Sequence, residues 1–189
     1  MGKFTKNIVL FLSCLLIPGL LWSETIPQKE IKVLVVYYSR TKHTQLVAEK
    51  LAKKFNAELE QLIDKKNRTG LFSIVSAGKD AISSKTTIIN ALQHNPKDYD
   101  LILIGGPSWY GNVTPAIRTF ITQNDLSGKK IGLFGLCHLT GVENAIQEAA
   151  DLISKDKKFP TMPLRERELK EDLLTKRIDV FYQAIQEVK

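Results

Sequence analysis

Two apolar runs constrain this chain more than any other feature. Lys32–Tyr38 reads Lys-Val-Leu-Val-Val-Tyr-Tyr, and Leu101–Gly105 reads Leu-Ile-Leu-Ile-Gly. Neither alternates polar with apolar residues, so neither suits a strand with one wet face. Unbroken β-rich runs of this kind are expected of parallel strands covered on both sides. Each run stops in a loop of distinct chemistry. Ser39-Arg40-Thr41-Lys42-His43-Thr44 offers hydroxyls and positive charge, while Gly106-Pro107-Ser108-Trp109-Tyr110-Gly111-Asn112 offers aromatic faces and unhindered backbone. Together they suit a ligand with an anionic tail and a flat ring.

The rest of the chain alternates strand and helix patterns. Ile31–Tyr38 is a strand. Val47, Ala48, Leu51, Ala52 and Phe55 form one helical stripe that ends before Asn56. Ala57–Ile63 is more polar and suits a sheet edge. The stretch 64–98 is too long for a bare loop; it predicts a helix over Leu71–Ser84 and a second over Thr87–Leu92. Asp100–Gly105 is the next buried strand. Thr114-Pro115 opens a helix, with threonine as the cap and proline at the first position. Ile131–Leu136 is a strand, and Val142, Ala145, Ile146, Ala149, Ala150 and Ile153 form a helical stripe. Phe159–Leu164 is a strand that Pro160 and Pro163 confine to an edge. Leu174, Ile178, Phe181 and Ile185 close the chain as a helix. The pattern predicts an α/β fold with a doubly wound five-stranded parallel sheet. Ligands of such sheets bind beyond the carboxyl ends of the strands, at the switch point. Both loops lie on that edge, and so does Leu136–Gly141.

The N-terminus reads differently. Met1–Asn7 carries Lys3 and Lys6 and no acid, Ile8–Ile17 is apolar apart from Ser13 and Cys14, and Pro18-Gly19 breaks the run. A basic start, a short apolar stretch and a small residue at Ser23 describe a secretory signal peptide over residues 1–23. Three fates fit: cleavage after Ser23, retention as a membrane anchor, or lipidation at Cys14. Residues 24–30 read as a linker and 31–189 as one domain, exported to the periplasm or anchored facing it. The mature domain then holds Cys137 alone, so no internal disulfide can form.

The formal charge of +7 becomes +5 once Lys3 and Lys6 leave. The cations are scattered as Lys53-Lys54, Lys65-Lys66, Lys129-Lys130 and Lys157-Lys158, which reads as solvated faces. No basic stripe is interleaved with stacking aromatics, so no nucleic-acid partner is expected. Association with a membrane through the N-terminal segment is compatible with the sequence.

Several chemistries are excluded. The first loop contains no glycine, so no dinucleotide fingerprint follows the first strand. Gly106-Pro107-Ser108-Trp109-Tyr110 lacks the last glycine of a hydrolase elbow. Strand ends Ser39 and Gly105 offer no aspartate cluster for a phosphoacceptor. His43, His94 and His138 have no zinc-site spacing, and no metal is expected. What is present favours a phosphate: hydroxyls, free amides at a helix N-terminus and the charges of Arg40 and Lys42. The competing reading is an ordinary turn capped by Thr44. Gly105 and Gly106 would admit a ligand close to the backbone, and Trp109 and Tyr110 cannot both face one core.

At this point the motifs carry a resemblance. Ser39-x-Thr41-x-x-Thr44 resembles the phosphate loop of the flavodoxin-like FMN-binding proteins. Gly106-Pro107-x-Trp109-Tyr110-Gly111-Asn112, with Pro115-Ala116-Ile117-Arg118-x-Phe120 after it, is similar to their first flavin loop and following helix. Leu136-Cys137-His138-Leu139-Thr140-Gly141 falls where their second flavin loop belongs, and the resemblance runs over Ile31–Lys189. It implies the strand order 2-1-3-4-5 in three α/β/α layers. It also implies FMN as cofactor, held by Ser39, Arg40, Thr41, Lys42, His43 and Thr44. Pro107, Ser108, Trp109, Tyr110, Gly111, Asn112, Cys137, His138 and Gly141 would line the ring. The implied role is electron transfer or a small oxidoreductase activity, with a redox protein or a small acceptor such as a quinone as partner; no catalytic residue is assigned. The alternative is a flavin-free binding module on the same fold. The chain departs from the family at Lys42-His43, where Gly-Asn is common and an unusual backbone conformation can be needed. It departs again at Cys137-His138-Leu139, which is poorer in glycine.

Overall fold

Val33–Tyr37 (β1) is buried at every position because it lies between two others in the sheet, with helices on both faces. The computed structural model describes residues 31–65, 80, 81 and 83–188. The expected leader and linker lie outside them, as does most of the helix expected over Leu71–Ser84. After β1 come α1 (His43–Phe55), β2 (Glu58–Gln61), β3 (Leu101–Pro107), α2 (Pro115–Gln123), β4 (Lys130–Cys137), α3 (Val142–Ile153), β5 (Thr161–Arg165) and α4 (Glu171–Glu187). The strands pair in parallel in the order β2-β1-β3-β4-β5. No described helix is long and apolar enough to cross a membrane.

Period-two geometry sorts the apolar runs onto two faces. Leu34, Val36, Ile102 and Ile104 pack with Ile117, Phe120 and Ile146 of α2 and α3. Val33, Val35, Leu101 and Leu103 pack with Val47, Leu51, Leu174 and Phe181 of α1 and α4. The polar β2 and the proline-bearing β5 stand at the edges, as expected.

Three expectations are corrected. Thr87–Leu92 is not a helix: residues 85–88 have no regular secondary structure and Ile89 forms an antiparallel bridge with Asp64. Thr86-Thr87-Ile88-Ile89 is a β-branched run, stiff in a helix and at home in an extended chain. Thr114 occupies the N-cap of α2, yet its hydroxyl is buried with no hydrogen-bond partner, so Pro115 fixes the helix start without a capping bond. Gly105 and Gly106 serve internal packing more than ligand approach. A Cβ on Gly105 would lie 2.4 Å from the Phe134 ring, its partner in register on β4, and one on Gly106 would lie 3.0 Å from Ile117 Cγ1. Gly105→Ala therefore forces an aromatic ring off the sheet and is expected to lower stability by about 1–3 kcal/mol. Urea unfolding of the two chains measures that loss.

Candidate functional site

The loop after β1 is set by one unusual residue. Lys42 sits at the N-cap of α1 with φ 68° and ψ −9°, the left-handed region that non-glycine residues seldom enter. This is the position at which the sequence departs from the family's glycine. The helix starts at His43, and Thr44 is buried inside its first turn instead of capping it. Ser39 takes the capping part: its Oγ accepts the N–H of Gln45 at 3.3 Å. Arg40, Thr41, Lys42 and His43 are exposed around it. No acid of α1 itself occupies its first turn, so the positive end of its dipole faces the loop.

The loop after β3 contains a tight turn. Trp109 and Asn112 exchange backbone hydrogen bonds at 3.1 and 3.0 Å, and the central residues Tyr110 and Gly111 have φ 51° and 77°. Positive φ at both is the signature of a type I′ turn. Gly111 adopts it freely; for Tyr110 it costs about 1–2 kcal/mol. Asn112 Nδ2 donates to Tyr110 O at 2.8 Å and steadies the strained residue. The two aromatics separate as expected: Trp109 is half-buried, while Tyr110 is 70% exposed.

Trp109 joins the two loops. Its ring meets Tyr38 edge-on, with centroids 5.7 Å apart and planes at 81°. The Arg40 guanidinium carbon lies 5.9 Å from the ring centroid, within cation–π range. Behind the turn, Val113 N–H donates to Glu148 Oε2 at 2.7 Å, and the other carboxylate oxygen pairs with buried Arg118.

The loop after β4 closes the group. Ser108 Oγ donates to Gly141 O at 3.1 Å. Gly141 has φ 90°, and a Cβ there would lie 2.8 Å from Gly111 Cα, so these backbones come this close only because residue 141 is glycine. Pro107 pairs in register with Leu136. Cys137 is buried, and burial pushes its thiol up, which fits a small core residue. His138 is exposed, and its Nδ1 lies 2.7 Å from Glu166 Oε2; Glu166 Oε1 lies 3.2 Å from His43 Nδ1.

The residues expected at the site thus fall in three neighbouring loops and the strand and helix ends that border them, at one end of the sheet. Their density of positive charge, hydroxyls and exposed aromatic surface can take an anion and a flat ring together. Sequence reasoning missed Glu148 and Glu166. Both act across long sequence separations, where no local pattern signals a pairing. Among the described residues, no group of three His, Cys, Asp or Glu side chains is arranged to hold a metal ion.

A doubly wound sheet with an anion-favouring loop beside an aromatic turn at its switch point defines a protein of the flavodoxin-like class. The chain belongs to the flavodoxin family, whose family model, described as flavodoxin, matches residues 32–179. Solved structures share the fold. A Lactobacillus acidophilus flavoprotein in complex with FMN is 21% identical with a TM-score of 0.58, covering 71% of this chain and 92% of that one. A candidate flavoprotein of Bacteroides eggerthii is 24% identical with a TM-score of 0.60, covering 80% and 98%. A Fusobacterium nucleatum flavodoxin bound to flavin mononucleotide is 14% identical with a TM-score of 0.51, covering 83% and 98%. No curated protein matches the sequence.

Glu148 offers a direct check on how the aromatic turn is held. Glu148→Ala strips the acceptor from the Val113 amide and leaves the Arg118 guanidinium buried without its carboxylate. A loss of about 1.5–3 kcal/mol is expected for charged hydrogen bonds of this kind. Guanidinium unfolding gives the loss, and faster exchange of the Val113 amide locates it.

Proposed function

We propose that this chain binds FMN and acts as a flavoprotein, in electron transfer or in the reduction of a small acceptor such as a quinone. The observation that carries the reading is the convergence of the Ser39–Thr44 loop and the Trp109–Asn112 turn, joined by Tyr38 and Arg40 on the Trp109 ring. Membership of the flavodoxin family supports it, and so do neighbours solved with FMN.

The donor set fits the cofactor at both ends. Ser39, Thr41 and Thr44 would hold the phosphate at the amino end of α1, with Arg40 and Lys42 adding charge. Ser39 Oγ accepts from Gln45 N–H and, as a hydroxyl, still has its own proton to donate. Tyr110 or Trp109 would cover one ring face, and the Gly111 backbone would meet the ring edge. FMN supplies the redox chemistry when bound, and the protein sets its orientation and surroundings. The buried Cys137 stays a thiol near neutral pH and packs the end of β4.

We also propose export of the domain, on the strength of the Met1–Ser23 sequence alone; amino-terminal sequencing of the cell-fractionated protein tests it. Recovery in the cytoplasm with Met1–Ser23 intact would count against export. For the cofactor, the chain is mixed with FMN and passed through gel filtration. A protein fraction with flavin absorbance is expected, and Trp109→Ala should bind about ten-fold more weakly, the scale of one aromatic contact. A colourless fraction with no affinity for FMN would leave the flavin-free binding module as the reading.

A further inference from the structure

Two histidines distant in sequence direct their Nδ1 atoms at one carboxylate. His43 opens α1 beside the phosphate loop, and His138 stands in the loop after β4. Glu166 meets them with separate oxygens, Oε1 at 3.2 Å from His43 and Oε2 at 2.7 Å from His138, so both contacts are made at once. Glu166 is itself held in place. It begins the 3-10 turn Glu166–Leu169, where Arg165 N–H donates to Glu168 Oε2 at 2.9 Å and the Arg165 guanidinium donates to Glu143 at 2.7 Å. The two imidazoles, His138 foremost, hold the Glu166 carboxyl below the usual carboxylate range.

We propose that Glu166 is a positioning residue of the cofactor site: by clasping His43 and His138, it fixes the phosphate loop and the loop after β4 in one arrangement, prepared for a phosphorylated flavin. The proposal rests on the FMN reading above. Trp109 ties the first loop to the second, and Ser108 with Gly111 ties the second to the third. The clasp links the third back to the first. Loops already joined lose less freedom when a ligand arrives, which is how preorganisation raises affinity.

The clasp depends on an ionised Glu166, and the other charged groups around it are already partnered. Arg165 is paired with Glu143, Glu168 lies against Arg165 and Arg177, and the Cys137 thiol is held protonated. The two imidazoles therefore set the charge opposite Glu166. On the acid side the lowered Glu166 keeps the clasp intact above the usual carboxylate range; it is lost as pH falls through the lowered value.

Dissociation constants for FMN and riboflavin are measured at neutral pH on the full chain, Glu166→Ala and Glu166→Gln, with unfolding midpoints alongside. For partly exposed charged contacts, Glu166→Ala should weaken FMN about five- to ten-fold. Glu166→Gln, which keeps one acceptor, should recover part of the loss, and riboflavin, which lacks the phosphate, should change by less than about two-fold. Unaltered FMN affinity in Glu166→Ala overturns the proposal, and so does an equal loss for riboflavin. A carbon-13 titration of the Glu166 carboxyl in the ligand-free chain reads the clasp directly. It should titrate low and return towards its ordinary range in the His43→Gln/His138→Gln double variant; an ordinary titration in the unaltered chain removes the clasp. A low titration in a chain that binds no FMN instead overturns the cofactor reading, and the positioning role falls with it.

Discussion

The site depends on the backbone ladder that β3 shares with β1 on one side and β4 on the other. That ladder does not stop at the strand ends. Tyr38 N–H donates to Gly105 O at 3.1 Å, and Ser108 N–H donates to Leu136 O at 2.7 Å, so pairing runs on into both binding loops. Loops anchored by sheet hydrogen bonds begin from fixed points, which is what a loop-built site on a rigid scaffold requires. The ladder in turn depends on the Gly105–Phe134 pair, where the ring from one strand lies over the missing side chain of the next.

Beyond the ladder, the three loops hold one another by different forces. Ring contacts and a cation–π pair join the first to the second, close backbone packing and a hydroxyl join the second to the third, and charge joins the third to the first. The difference matters because only the last is undone in acid, once Glu166 takes up a proton. It also explains an apparent contradiction in the charge pattern. An acid beside an anion-binding loop should oppose a phosphate, yet Glu166 spends its charge on two imidazoles, leaving Arg40 and Lys42 to set the sign of the field at the loop.

The sheet was legible in the sequence because burial on both faces leaves an unbroken apolar run, and Val33–Tyr37 and Leu101–Ile104 carry one. The edges were legible too, through the polarity of Glu58–Gln61 and the proline in Thr161–Arg165. Thr87–Leu92 was misread because its spacing allowed a helix, while its β-branched side chains, bridged to the segment before them, favoured extension. The site was legible wherever its residues are consecutive, as in both binding loops. The roles of Glu148 and Glu166 were not: each acts on partners at least 28 residues away, and no local spacing announces the pairing.

Backbone strain marks the same places. Four described non-glycine residues have positive φ: Lys42, Asn56, Ser84 and Tyr110. Asn56 needs no special account, since it ends α1 in the left-handed cap that asparagine often adopts, with its own N–H near the last turn. Lys42 and Tyr110 differ, because each stands inside a binding loop. Lys42 turns the chain so that Ser39 can reach Gln45 and leaves its ammonium facing outward. Tyr110 turns so that its ring is exposed beside a half-buried tryptophan. Strain of this kind persists only where the surroundings over-determine it, and here the sheet ladder, the Asn112 side chain and the Trp109 contacts supply that constraint. A flavodoxin-family loop would relieve the first strain with glycine. Keeping a lysine there trades backbone ease for a cation at the amino end of α1.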